Sequence, residues 1–288
     1  MNKNHPSTEP QSNDWYTERF ISEGSSIGLQ LTQTLHKEQS AFQSIEIYET
    51  SHFGNLLVLD GCIMLTEKDN FIYHEMMAHP ALFSHPSPSQ VAIIGGGDCG
   101  TLKEVLKHKD VEKVVQVEID QRVTELCQRF FPQLCESNND PRAEFYFGDG
   151  IQWVEGTPNN SLDLLIIDST DPVGPAEGLF SQGFYQACFE ALKPGGVLVL
   201  QSESPFYHSH TIIKDMKLKL KACGFENSIT RLFPQPVYPS GWWSCTASYK
   251  SAPQGSNEHA MKRAKTFATD YYNAEIHFAS QAQPEFMR

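Results

Sequence analysis

Val91-Ala92-Ile93-Ile94-Gly95-Gly96-Gly97-Asp98-Cys99-Gly100 is an apolar run that ends in a glycine loop, and the stretch 101–108 behind it has helical character. A short, wholly apolar run bounded by glycine fits a strand of a parallel sheet covered on both faces. Gly95, Gly97 and Gly100 satisfy G-x-G-x-x-G where that motif carries meaning, after a strand and before a helix. Glu118 follows about 20 residues on, where an acid can hold ribose hydroxyls. The segment predicts a nucleoside site without choosing between a dinucleotide and an S-adenosyl ligand. Asp98 bears on that choice. Its carboxylate sits inside the loop and would repel a pyrophosphate seated on the helix N-terminus, so a cationic group is favoured. Capping of the helix that begins near Gly100 is the other reading of the same aspartate.

Three more apolar runs end in acids: Val114-Val115-Gln116-Val117 at Glu118, Phe145-Tyr146-Phe147-Gly148 at Asp149, and Leu164-Leu165-Ile166-Ile167 at Asp168. Helical stretches at 120–130 and 181–192 alternate with the strands, which implies βαβ units and a parallel sheet. Ligands bind outside the carboxyl ends of the strands in such sheets, so the acids face the site. Asp168-Ser169-Thr170-Asp171-Pro172-Val173-Gly174-Pro175 holds two of the carboxylates in a Pro/Gly-rich loop. Turn chemistry accounts for Asp171-Pro172 on its own. It accounts less well for Asp168, because an acid ending a buried strand suffers desolvation unless it is paired or working.

Working outward, Gln43 to Glu49 partly alternates, Phe53-Gly54-Asn55 turns, and Leu56-Leu57-Val58-Leu59 returns, which is a hairpin. Asp60-Gly61 turns again into Cys62-Ile63-Met64-Leu65. The expected organisation is a polar, disordered tail at 1–14, a small antiparallel β domain at 15–68 and an α/β parallel-sheet domain at 69–288, with a helix over 69–79 and a linker at 85–89. The chain has 288 residues and a formal net charge of −13, which argues against general affinity for phosphate backbones and is compatible with a cationic small substrate. The same surplus of acids also serves solubility. No apolar run approaches the ~20 residues of a membrane helix, and the N-terminus has no signal-peptide core. Seven cysteines without a CxxC pair fit reduced thiols. These features lead us to expect a cytoplasmic protein that contacts neither membrane nor nucleic acid.

Taken in order, Phe71-Ile72-Tyr73-His74-Glu75-Met76, Gly95-Gly96-Gly97-Asp98, Val117-Glu118-Ile119-Asp120, Asp168-Ser169-Thr170-Asp171-Pro172 and Tyr238-Pro239-Ser240-Gly241 resemble the polyamine aminopropyltransferases, the spermidine synthases in particular. The resemblance runs from about Trp15 to the C-terminus and includes Tyr271-Tyr272-Asn273 and Ile276-His277. It implies a Rossmann-like, methyltransferase-type sheet domain behind the β domain, and a homodimer or homotetramer. The implied reaction moves an aminopropyl group from decarboxylated S-adenosylmethionine, a co-substrate, to putrescine, giving spermidine and methylthioadenosine. No prosthetic group is implied. Carried over by motif, Glu118 resembles the ribose ligand and Asp149-Gly150 the adenine-side contact, with Gln43, Pro175, Gly95 and Gly97 completing the nucleoside contacts. His74 and Asp98 resemble contacts to the aminopropyl or polyamine chain. Asp168 resembles the proton acceptor, and Tyr73, Ser169, Thr170, Asp171, Gln201 and Tyr238 resemble residues that hold the diamine. Cys99 stands where many relatives carry glycine, and Asn70 where an acid is common.

The implied chemistry fits these side chains. An alkylamine with a pKa of ~10.4 is almost wholly protonated at neutral pH and needs a base before it can attack carbon. Asp168 can take that proton, and Tyr73, Tyr238 or Trp242 can face the distant ammonium. An amine N-methyltransferase on the same fold and a catalytically silent polyamine-binding module are the alternatives. A dehydrogenase is disfavoured by Asp98. His74-Glu75 with His79 does not make a zinc motif, because two histidines five apart on a helix point about 140° apart; no metal is expected.

Overall fold

The computed structural model describes residues 15–170, 174–251 and 266–288. The tail expected at 1–14, and Asp171, lie outside the described residues. Two sheets organise the chain. The first is antiparallel, in sequence order: β1 (Trp15–Phe20), β2 (Ser25–Gln39), β3 (Ser44–Thr50), β4 (Gly54–Leu59) and β5 (Cys62–Thr66). The second contains β6 (Gln90–Gly95), β7 (Lys113–Glu118), β8 (Ala143–Phe147), β9 (Leu162–Asp168), β10 (Leu192–Gln201), β11 (Asn227–Pro234) and β12 (Trp242–Tyr249), in the order β11-β12-β10-β9-β6-β7-β8. The run from β10 to β8 is parallel, and β11 and β12 join it antiparallel.

The eight α-helices are α1 (Asn70–Ser84), α2 (Gly100–Leu106), α3 (Gln121–Phe130), α4 (Gly150–Glu155), α5 (Gln182–Ala191), α6 (Pro205–His208), α7 (Ile212–Ala222) and α8 (Ala274–Ala279) among the described residues. Side chains alternate along a strand, and β6 shows it: Val91 and Ile93 pack with Met76, Leu82 and Leu102 of α1 and α2. Ala92 and Ile94 face the other way, with Phe184 of α5 and Leu220 of α7. Burial on both faces is why these strands read as unbroken apolar runs. The small sheet is likewise clasped from two sides. Ile45, Ile47 and Leu57 meet Val123 and Leu126 of α3, while Leu29, Leu56 and Val58 meet Val237. The carboxyl ends of β6, β7, β8 and β9 are thereby brought under the small sheet.

The first helix runs further than its sequence suggests. A stop near residue 79 is the natural expectation with Pro80 next, because proline removes the hydrogen bond to the carbonyl four residues back. That carbonyl belongs to Met76, and the thiol of Cys245 on β12 donates to it at 3.3 Å. The helix therefore continues to Ser84, with Pro80 inside it. No helix among the described residues is long and apolar enough to cross a membrane.

Candidate active site

The strand order reverses at β6: the chain lays β7 and β8 on one side of it, then returns to place β9 on the other. Crevices at such reversals hold ligands in open α/β sheets. Here the crevice is closed from above by the small sheet, leaving a cavity of about 370 Å³. Gly95, at the end of β6, pairs with Asp168 at the end of β9, and the Gly96 N–H donates to the Asp168 carbonyl at 2.7 Å. A Cβ on Gly95 would stand 2.1 Å from that carbonyl oxygen, and its φ of +83° is one that side chains avoid. Gln116, buried within the apolar β7, ties the loop from the other side by donating to the Gly95 and Gly96 carbonyls.

Asp98 makes two contacts at the start of α2. Its Oδ1 accepts from the Gly100 N–H at 2.7 Å and lies 3.1 Å from His74 Nε2. Burial alone would push the His74 pKa down and the Asp98 pKa up; the pair overrides this, so His74 is raised and Asp98 lowered. The third glycine of the loop makes the pair possible, since a Cβ on Gly100 would lie 2.1 Å from the His74 ring.

Asp168 accepts from Tyr73 Oη on Oδ1 and from Thr101 Oγ1 on Oδ2, each at 2.6 Å. Burial and then the Asp98 charge raise its pKa, against the opposing pull of His74 and the two hydroxyls. A carboxylate so placed is a stronger base than an ordinary aspartate, and each oxygen keeps a lone pair. Glu118 is also buried; desolvation and the charge of Asp120 push its pKa up to about 7, against the Asp120 N–H that donates to Oε1 at 2.8 Å. Asp149 caps α4, accepting from the Ile151 N–H at 2.8 Å and the Gln152 N–H at 3.3 Å.

The cavity collects Gln43, Tyr73, His74, Gly95, Gly97, Asp98, Glu118, Asp149, Gly150, Asp168, Ser169, Thr170 and Tyr238 along its wall. Gln43 is tethered by an Nε2 bond of 3.0 Å to Asp120, and Gly97 by its carbonyl, which accepts from Thr124 Oγ1 at 2.9 Å. Gln201 stands apart. It lines an adjoining recess of about 40 Å³ shared with Tyr73, Ser169, Thr170 and Tyr238. Asp171 and the side chain of Pro175 lie outside the described residues.

One reading of the aromatics needs correction. Trp242 does not face the site; its ring packs against Phe286 at 6.2 Å, and the buried neighbour Trp243 lines the recess instead. Strand alternation at β12 decides this, since adjacent residues point to opposite faces. Asn70, placed where an acid is common, spends its amide on the Thr66 and Glu67 carbonyls at 2.7 and 3.0 Å. The sequence reading also missed Thr101 and Glu18. Glu18 lines the recess from β1, accepts from the Ile63 N–H at 2.7 Å, and has its pKa pushed up to about 7 by burial. A signal existed: Glu18 alternates with Tyr16 and Phe20 on the inner face of β1, a carboxylate where an apolar residue is the rule.

Residues 70–257 match the spermine/spermidine synthase domain, and residues 14–67 match the spermidine synthase tetramerisation domain. The chain belongs to the spermine/spermidine synthase family. The polyamine aminopropyltransferase of Thioalkalivibrio sulfidiphilus is 55% identical over 276 residues, covering 96% of this chain and 97% of the relative. That of Methylococcus capsulatus is 54% identical over 273 residues, covering 95% of each. Among solved structures, a spermidine synthase in complex with the transition state analogue AdoDATO superposes with a TM-score of 0.90 at 39% identity, covering 96% of this chain and 94% of that one. The spermidine synthase of Thermotoga maritima gives 0.88 at 39% identity, over 96% and 94% of the two chains. These matches bear out the Rossmann-like architecture with its small β domain, and they make this family member an aminopropyltransferase rather than a methyltransferase or a silent binding module.

Proposed function

We propose that the chain is a spermidine synthase that transfers the aminopropyl group of decarboxylated S-adenosylmethionine to putrescine, works in the cytoplasm, and assembles as a homodimer or homotetramer. The observation that carries the reading is the pair of aspartates flanking the glycine loop: Asp98 held by His74, and Asp168 buried between Tyr73 and Thr101. The nucleoside would lie over Gly95 and Gly97, its ribose hydroxyls on Glu118 and its adenine beside Asp149, Gly150 and Gln43. Asp98 and His74 would meet the aminopropyl end. Ordinary S-adenosylmethionine would bring its carboxylate toward Asp98, whereas the decarboxylated form offers only an ammonium.

The acceptor enters past Tyr238 and Tyr73. Asp168 takes a proton from the near ammonium, and the freed nitrogen lone pair attacks the carbon beside the sulfonium. The C–S bond breaks with its electron pair going to sulfur, which leaves a neutral thioether. Holding amine and carbon in line supplies a large part of the acceleration, alongside the proton transfer. Ser169, Thr170 and Gln201 line the acceptor's path. The far ammonium would sit in the recess, facing the Glu18 carboxylate and the ring of Trp243. Asp171 and Pro175 are proposed contacts by motif alone.

The test is to give purified protein decarboxylated S-adenosylmethionine with putrescine, cadaverine, agmatine or spermidine and to read the products by mass. Putrescine should gain an aminopropyl group with release of methylthioadenosine. A methylated amine, or no product with any amine, would overturn the reading. In Asp98→Asn, competition binding should show a narrowed preference for decarboxylated over ordinary S-adenosylmethionine; unchanged discrimination would remove Asp98 from that role.

A further inference from the structure

The loop that faces the donor has a second chemistry on its underside. Cys99, in the position before α2, is buried and adopts a left-handed backbone at φ +70° that favours glycine. Its thiol donates to the Gly97 carbonyl at 3.6 Å and accepts from Asn138 Nδ2 at 3.4 Å. The thiol of Cys135, from the segment after α3, donates to the next carbonyl of the same loop, that of Asp98, also at 3.6 Å. The two thiols thus hang from consecutive carbonyls of one loop, and both cysteines are free. Neither takes part in the proposed transfer.

We propose that Cys99 and Cys135 form a redox-sensitive dithiol that, when oxidised to a disulfide, weakens binding of the nucleoside donor. The kinetic half of this statement rests on the function proposed above; the disulfide itself does not. Cys135 is partly exposed and Cys99 is not, so oxidation starts at Cys135. A peroxide accepts two electrons: the Cys135 thiolate attacks one peroxide oxygen and becomes a sulfenic acid with loss of water. The Cys99 sulfur then attacks the sulfenic sulfur and expels the second water. Two thiols and hydrogen peroxide thus give one disulfide and two waters, and a dithiol reductant reverses the change.

The consequence for the donor follows from the bonds lost. A disulfide has no S–H, so the carbonyls of Gly97 and Asp98 both lose their sulfur donors. Gly97 retains the Thr124 hydroxyl. The bridge also draws Cys99 toward a segment anchored elsewhere, by Lys103 Nζ to the Gln133 carbonyl at 2.6 Å and by Gln133 Nε2 to Glu67 at 3.0 Å. Asp98 sits one residue from the bridge and next to His74, so the displacement falls on the donor side of the cavity.

The experiment treats the full-length protein with graded hydrogen peroxide. It follows intact mass, maps cross-linked peptides and measures KM for each substrate. The expected results are a loss of two hydrogens, a Cys99–Cys135 cross-link, and a donor KM raised roughly five- to tenfold, the scale of one lost hydrogen bond. Acceptor KM should stay level, and dithiothreitol should restore the starting values. Cys135→Ser should keep the untreated activity and show no such response, and Cys99→Gly should form no cross-link. Over-oxidation of Cys135 without a cross-link, or a bridge from Cys135 to Cys127 instead, would overturn the site. A mapped Cys99–Cys135 bridge with unchanged donor KM would overturn its effect, and absence of any transfer by the reduced protein would instead count against the proposed function.

Discussion

The two ends of the cavity are built on different plans. At the glycine-loop end each carboxylate is held by backbone N–H groups from its own immediate neighbourhood: Asp98 by Gly100, Glu118 by Asp120, Asp149 by Ile151 and Gln152. At the recess, Glu18, Tyr73, Gln201, Tyr238 and Trp243 arrive from widely separated segments of both sheets and α1. There Gln201 Nε2, Ser169 Oγ and Trp243 Nε1 are buried without a hydrogen-bond partner. An unsatisfied buried polar group costs about 1–3 kcal/mol. At the donor end the fold itself holds each carboxylate, while the acceptor end keeps three polar groups whose partners a ligand would supply.

Asp168 stands between the two ends, and its removal should give the largest effect while touching neither binding plan. Asp168→Asn keeps the shape and can still accept from Tyr73 or Thr101, but it cannot take the amine proton. We expect kcat to fall by about 10²- to 10⁴-fold with donor affinity within about threefold, the range for loss of a general base. Steady-state kinetics with calorimetric donor binding checks this. A parallel collapse of donor binding would show that the two ends are not separable at this residue.

The same contrast governs what the sequence discloses. The donor end is local in the chain: a strand, a glycine loop and an acid about 20 residues on are visible without knowing what packs where. The acids after β6, β7, β8 and β9 come together because strand ends share an edge, and this too follows from alternating strands and helices. The acceptor end is non-local. Nothing near Glu18 says that β1 will meet the loop after β9, and only a burial pattern with a carboxylate on the inner face marks it. The exchange of Trp242 for Trp243 is a one-residue matter of strand phase, which a short run of mixed residues does not fix. The extension of α1 past Pro80 depended on a thiol 165 positions along the chain, between residues 80 and 245.

Next in size are the two raised carboxylates, one at each end. Glu118 has a pKa of about 7, set chiefly by burial, and on the proposed reading its ionised form receives the ribose hydroxyls. Protonation competes with the donor, so donor affinity should fall by up to about tenfold per pH unit below 7 and level off above it. Glu118→Gln should weaken the donor roughly tenfold at pH 8 and flatten this dependence; a mutant profile that retains the wild-type slope would assign the titration elsewhere. Glu18, also raised to about 7 by burial, makes the matching statement for the acceptor. Glu18→Gln should raise putrescine KM by roughly fivefold at pH 8, the scale of one screened ion pair with a hydrogen bond, and leave donor KM alone. If donor KM moved equally, the recess would not be a separate acceptor subsite.

The smallest kinetic effect is expected at Asn70, and it bears most finely on the contrast between the ends. Its amide lines the cavity yet is committed to the Thr66 and Glu67 carbonyls, so it belongs with the groups that the fold has satisfied. Asn70→Asp cannot donate to either carbonyl. Two lost hydrogen bonds at about 1 kcal/mol each amount to a Tm lower by roughly 3–4 °C for a chain of this size. Kinetic constants should change less than about twofold, the scatter of substitutions that touch no ligand. The alternative outcome is informative in the opposite direction. Repelled by the two carbonyls, the new carboxylate could turn into the cavity and attract the cationic acceptor, lowering putrescine KM by about tenfold, the gain from one added partly buried opposite charge. Thermal melts and putrescine KM on the same preparation separate the two. A lowered KM would place position 70 among the acceptor-facing groups and move the boundary between the satisfied and the unsatisfied ends to the start of α1.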